Sequence, residues 1–189
     1  FTLGIHQSVV NSVVLEPFLL INTNENMLAF ANGQPIPHII NNIFVPTFGM
    51  VGGTGSTISL LIAIFIFSRQ KSAKQVARLS LAPGLFNINE PVIFGLPIVF
   101  NLPLMIPFVL LPAIGIYFAW LCTTLGLMSR CVVMIPWTTP PILSAWLATA
   151  GDWRAVVVQL AIIVFGVFFY LPFLKIAERV ALKNSGIEN

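Results

Sequence analysis

From Val92 to Ser129 the chain carries no charged side chain over 38 residues; Pro91 stands at its head, and Pro97, Pro103, Pro107 and Pro112 punctuate the run. As one straight α-helix this run would measure ~57 Å, nearly twice the ~30 Å hydrocarbon core of a bilayer. Each proline removes a backbone donor and disfavours helical geometry in the residue before it. The run is thus too apolar for water and too long and too broken for a single crossing. The economical solution is a re-entrant hairpin over about 82–101, followed by a full span over about 104–126. Irregular backbone at membrane depth is tolerated only where protein or a water-filled cavity covers it, so the hairpin is expected to line a cavity.

Two further runs, 26–68 and 155–174, also lack charge, and a crossing needs only ~20 largely apolar residues. Over the whole chain 57% of residues are hydrophobic and 8% charged, against about 25% charged in soluble domains. The expected class is an all-α integral membrane protein with transmembrane helices and re-entrant helical hairpins.

The net charge of +3 comes largely from "RQKSAKQVAR" at 69–78 and "KIAERVALK" at 175–183. Both clusters flank apolar runs, so they report cytoplasmic orientation rather than nucleic-acid binding, and an even number of crossings should separate them. The span over 104–126 and the run "AVVVQLAIIVFGVFFYLPFL" supply two. Between these, Pro136, Pro140 and Pro141 predict a second broken or looped segment. Upstream, "IFVPTFGMVGGTGSTISLLIAIFIFSRQK" predicts a span ending at Arg69, with "GGTGST" serving close helix packing. That glycine-rich stretch lacks the Lys of a P-loop, so no ATP-hydrolysing subunit is expected.

Cys122 and Cys131 have no His or Cys partner at metal-ligand spacing and are expected to be buried free thiols. No metal and no cofactor are expected. The chain opens on Phe1 without a signal-peptide pattern, and it is expected to be a fragment of a longer protein.

Glu90 is the one carboxylate in "LAPGLFNINEPVIFGLPIVFN". An ionised acid at mid-membrane costs ~2.5–3.5 kcal/mol on insertion scales, so such residues face a cavity, pair, or serve in transport. Asn87, Asn89 and Asn101 add carboxamide donors and acceptors around it, a set suited to a polyhydroxylated ligand. A second polar set, His6, Glu16, Asn22, Asn24, Glu25, Asn26, His38 and Asn41, lies near the start of the chain. There "VVLEPFLL" echoes the Glu-Pro of "NINEPVIF" over two residues. The residues alone leave two functions open: a sugar-binding transport component, or a secondary transporter in which Glu90 binds a proton or Na⁺.

The blocks "LGIHQ", "GGTGST", "FNINEPVIFGLPIVFN" and "PWTTPP", in that order, resemble the lactose/cellobiose (diacetylchitobiose) family of enzyme IIC proteins. These are the membrane components of the bacterial phosphoenolpyruvate-dependent sugar phosphotransferase system. The resemblance runs from Leu3 to about Lys175. It implies that residues 1–183 form the C-terminal substrate-binding and transport domain, with 184–189 a cytoplasmic tail, and that an absent N-terminal half makes the homodimer contact. It further implies a multi-pass protein of the bacterial cell membrane that binds a disaccharide. The sugar's 6-hydroxyl would be phosphorylated by a phosphocysteine on a separate IIB component, itself served by IIA.

In the resemblance, Glu90 and His6 stand at the reacting hydroxyl. Glu90 is the candidate base, which desolvation would make a better proton acceptor, and His6 orients the hydroxyl or shares its proton. Asn87, Asn89, Asn101, Trp137 and Gln7 are the implied substrate-binding residues, and Trp137 can offer a flat face to a sugar ring. Gln7 and Leu102 depart from the family's glycine and proline. Gln7 adds bulk and hydrogen-bonding capacity beside His6, where the sugar preference would be set.

Overall fold

The computed structural model describes residues 11–184, and every regular element among them is helical. A short π-helical turn, Asn11–Leu15, leads into α1 (Glu16–Ala31), which accepts Pro17 in its first turn, where a missing N–H costs nothing. Gly33, at φ +64°, ends the helix. The chain then returns along α1 and is fastened there by the polar residues of the second set. Asn26 donates to the His38 carbonyl (2.8 Å) and accepts its N–H (2.9 Å), while Asn22 donates to the Ile40 carbonyl (3.0 Å). His38 Nε2 and Glu25 Oε2 stand at hydrogen-bond distance, 2.5 Å. Asn26 and Asn41 both donate to the Cys131 carbonyl, which ties this layer to the later loop.

Next come α2 (Phe44–Gly49) and α3 (Thr57–Phe67). The side-chain oxygen of Asn41 caps α2 by accepting the N–H groups of Ile43 and Phe44. The expected single span ending at Arg69 is corrected here. It is broken in two, and the 11 residues of α3 reach only ~16 Å, about half a hydrocarbon core. The break is "GGTGST", where Gly52, Gly53, Gly55 and Ser56 all have positive φ. These residues form a loop rather than a helix-packing stripe.

A basic amphipathic helix, α4 (Lys71–Leu85), buries Ala73, Ala77, Ser80 and Gly84 on one face. The expected hairpin is present with an earlier start, since its first arm is α4 itself. A turn at 86–89 leads to α5 (Glu90–Gly95) and a 3₁₀ turn at Ile98–Phe100. Asn87 sits in the left-handed region at φ +63°, a conformation that asparagine tolerates better than most side chains.

Asn101 opens α6 (Leu102–Thr124) by accepting the N–H of Leu104 (3.4 Å). With 23 residues this helix reaches ~35 Å. After the proline-rich loop come the short α7 (Leu143–Ala148) and the 32-residue α8 (Trp153–Asn184). Among the described residues, α6 and α8 are the two helices long and apolar enough to cross a membrane. α6 and the apolar part of α8 up to Leu174 fall between the two basic clusters as expected, and the second cluster lies in the last turns of α8. The expected start of the first span at 104 moves back by two residues.

The antiparallel pair α6 and α8 runs through two apolar cores. One holds Leu60, Leu61, Ile64, Ile93, Leu111 and Tyr170 beneath α3, α4 and α5. The other holds Phe44, Phe48, Ala119, Cys131, Ala145 and Ala155 beneath α2 and α7. At Gly115, α6 passes so close to α2 that a Cβ there would stand 2.6 Å from the Phe48 carbonyl oxygen. Cys122 and Cys131 are buried free thiols. Val109, Tyr117, Val164 and Phe168 leave apolar surface outward on α6 and α8, as hydrocarbon surroundings permit.

Asp152 closes the loop before α8. Its carboxylate accepts the N–H of Ser129 (2.7 Å) and the N–H (2.9 Å) and Nε–H (3.1 Å) of Arg154. Burial pushes its pKa up, but these donors outweigh burial and bring it from 3.8 down to about 2. A carboxylate held lower in the folded state stabilises above the unfolded value and loses that contribution as pH falls through the folded one. Asp152→Ala is therefore expected to cost ~1 kcal/mol at neutral pH. The difference from wild type should narrow as pH falls from 3.8 towards about 2, read by thermal unfolding of the detergent-solubilised protein.

Candidate functional site

The two halves of the helical frame meet at a cavity of about 410 Å³. Its walls are α1 at Glu16 and Leu19, the segment 42–51, the hairpin at Asn87, the loop at 134–141, and Ser144 and Gln159 beneath. The glycine loop sets where the hairpin sits. Asn87 accepts the N–H of Gly52 (2.9 Å) and donates to the carbonyls of Trp137 (2.6 Å) and Thr139 (3.1 Å). One carboxamide thus joins three segments that are far apart in the chain.

Asn89, 3% exposed, donates to the Thr54 carbonyl at 2.6 Å. The approach is so close that a Cβ on Gly53 would lie 2.7 Å from the Asn87 carbonyl oxygen. From below, the buried Tyr170 hydroxyl donates to the Gly55 carbonyl at 2.7 Å. Gln159, 1% exposed, donates to the Thr47 carbonyl (2.7 Å) and Ser144 Oγ (3.0 Å), and accepts the N–H of Ile142 (2.5 Å). Ile142 has φ +73°, so this bond stabilises a strained entry into α7.

The structure brings Asn87 and Trp137 together at the cavity. Asn89 lies buried under the glycine loop, and Asn101 caps α6 away from the cavity walls. Glu90 starts α5 and is exposed, outside these walls. The expectation of a desolvated acid is thereby corrected. His6 and Gln7 lie outside the described residues.

Sequence reasoning did not single out Gln159, Tyr170 or Asn42. Gln159 carried a usable signal, a lone carboxamide in "AVVVQLAIIV", since a buried polar side chain in an apolar helix needs partners. Nothing local marked Asn42 or Tyr170.

The family model described as "Phosphotransferase system, EIIC" matches residues 1–112. The cellobiose-specific EIIC component of Lactococcus lactis subsp. lactis (strain IL1403) is 43% identical over 76% of the chain and 31% of its own length. The lactose-specific EIICB component of Staphylococcus aureus is 30% identical over 95% of the chain and 31% of its own length. Among solved structures, the transporter ChbC, the IIC component from the N,N′-diacetylchitobiose-specific phosphotransferase system, superposes with a TM-score of 0.92. It is 35% identical, over 98% of the chain and 43% of ChbC. The chain thus spans less than half the length of each of these relatives.

Proposed function

The chain belongs to the phosphotransferase system EIIC family, and from that premise we propose that it is the sugar-binding part of a bacterial membrane permease. In this reading the permease binds a disaccharide of the cellobiose, lactose or diacetylchitobiose class. It presents the 6-hydroxyl to the phosphocysteine of a IIB component, which IIA recharges. The observation that carries the reading is the joining of the Asn-Glu-Pro hairpin, the glycine loop and the Trp137 loop by Asn87 at one cavity.

Each part of that arrangement has a task. Asn87 uses both amide hydrogens and one acceptor on backbone, which makes it a rigid corner; its remaining lone pair is left for a hydroxyl. Trp137 is 64% exposed beside it, with its ring available to the apolar face of a pyranose. Glu90 follows three residues on, at the hairpin's exposed turn. There it can take the hydroxyl proton while the phosphoryl group passes from sulfur to oxygen. His6 assists by orienting that hydroxyl. Asn89 and Asn101 act one step back, holding the hairpin and the head of α6 in place. The homodimer contact belongs to the part of the protein outside this chain.

The names of the relatives support group transfer over ion-coupled transport, and the lactose-specific one joins C and B in its own name. The test uses the full-length protein in vesicles with radiolabelled disaccharide and phosphorylated IIB. Sugar should appear inside as the 6-phosphate and only when IIB is supplied. Accumulation of unmodified sugar on an ion gradient, independent of IIB, would overturn the reading.

A further inference from the structure

Most polar side chains around the cavity are already spoken for. Both amide hydrogens of Asn87 and of Gln159 are donated, Gln159 also accepts the N–H of Ile142, Ser144 Oγ accepts from Gln159, and the Thr139 hydroxyl donates to the Pro136 carbonyl (2.7 Å). Among the described residues, Glu16, Asn42 and Trp137 line the cavity, and the Glu16 carboxylate, the Asn42 carboxamide and the Trp137 indole N–H have no hydrogen-bond partner there. Glu16 and Asn42 share one wall. The Asn42 backbone N–H is donated to the Leu19 carbonyl (3.2 Å) and to Thr23 Oγ1 (3.1 Å). Leu19 lies three residues after Glu16 on α1, so the two side chains emerge on the same helix face. Trp137 stands on the opposing loop.

We propose that Glu16 and Asn42 form a specificity wall that takes ring hydroxyls of the disaccharide while Trp137 covers the ring from the other side. The inference rests on the sugar-binding reading above and adds residues which that reading does not use. A carboxylate accepts two O–H donors and a carboxamide both donates and accepts, so together they match adjacent hydroxyls on a pyranose. Leu19, Met50 and Val51 supply apolar surface for the ring's C–H face. No Lys or Arg lines the cavity among the described residues, so Glu16 also disfavours an anionic occupant. The wall selects the neutral sugar over its phosphate, and the product is thereby helped to leave.

The test measures binding to purified full-length protein, using the tightest-bound of cellobiose, lactose and N,N′-diacetylchitobiose, its monodeoxy analogues, and its 6-phosphate as competitor. Glu16→Gln should weaken the neutral sugar ~10-fold. It should also remove the penalty for deleting one particular hydroxyl and raise the relative affinity of the 6-phosphate. Asn42→Ala should erase the penalty at a neighbouring hydroxyl. Glu16→Asp keeps the charge and should restore part of the affinity, which separates contact from folding. If wild-type protein binds the sugar while Glu16→Gln and Asn42→Ala keep its full ranking of analogues and phosphate, the wall is refuted and sugar binding stands. If wild-type protein binds none of the three disaccharides, the functional reading falls and the wall with it.

Discussion

Full-length protein carrying Glu90→Gln is expected to bind its disaccharide within a few-fold of wild type and to phosphorylate it at least ~10²-fold more slowly, the range in which general bases contribute. The split follows from the position of Glu90. It stands outside the cavity walls, so removing its charge leaves the groups that would grip the sugar ring in place. Its backbone opens α5, and glutamine keeps both the length of the side chain and an acceptor for a hydroxyl. Only the ability to accept a proton is lost. Equilibrium binding of radiolabelled sugar and single-turnover transfer from phosphorylated IIB measure the two quantities separately. A wild-type transfer rate would remove Glu90 from the chemistry. A parallel loss of binding would instead make it a sugar ligand.

How far such a site can be read from the chain depends on the range of the forces that build it. The 38-residue uncharged run was legible as hairpin plus span because helix rise and proline chemistry act within a few residues. The start of α6 at Leu102 lies within two residues of expectation, and the looped segment around Pro140 is present. Local rules failed at "GGTGST". The same small residues suit tight helix packing or a positive-φ loop, and the choice was made by Asn87 and Asn89, about 35 residues away in the chain. The asparagines show the same limit from the other side. Their number around Glu90 signalled polar work at membrane depth. Whether each amide faces ligand or backbone depends on which distant carbonyl arrives beside it, as the Trp137 carbonyl does beside Asn87, 50 residues on. The exposure of Glu90 was equally out of reach, since exposure depends on which distant segments pack beside a residue.

Because the hairpin is held through the glycine loop, the largest effect of a distant change is expected at Gly53. Gly53→Ala should lower stability by ~2 kcal/mol or more, since L residues are strained at left-handed φ and this one stands at +97°. A second cost adds to the first. The new Cβ would meet the Asn87 carbonyl oxygen at 2.7 Å and Asn89 Cγ at 2.6 Å, and the oxygen belongs to backbone that cannot turn aside. Relief requires the hairpin to lift from the loop, which breaks the bonds from Gly52 to Asn87 and from Asn89 to Thr54. The corner that joins the Trp137 loop to the cavity then loses its anchor, and sugar binding should fall by at least ~10-fold through two contacts of about 1 kcal/mol each. Gly33→Ala is the matched control. It carries a left-handed φ of +64° with nothing within 4 Å of its Cβ, so it should cost about 1 kcal/mol and leave binding unchanged. Thermal unfolding and sugar titration on the two variants separate the cost of backbone strain from the cost of displacing the hairpin. Equal losses of binding in both would show that the glycine loop does not position the site.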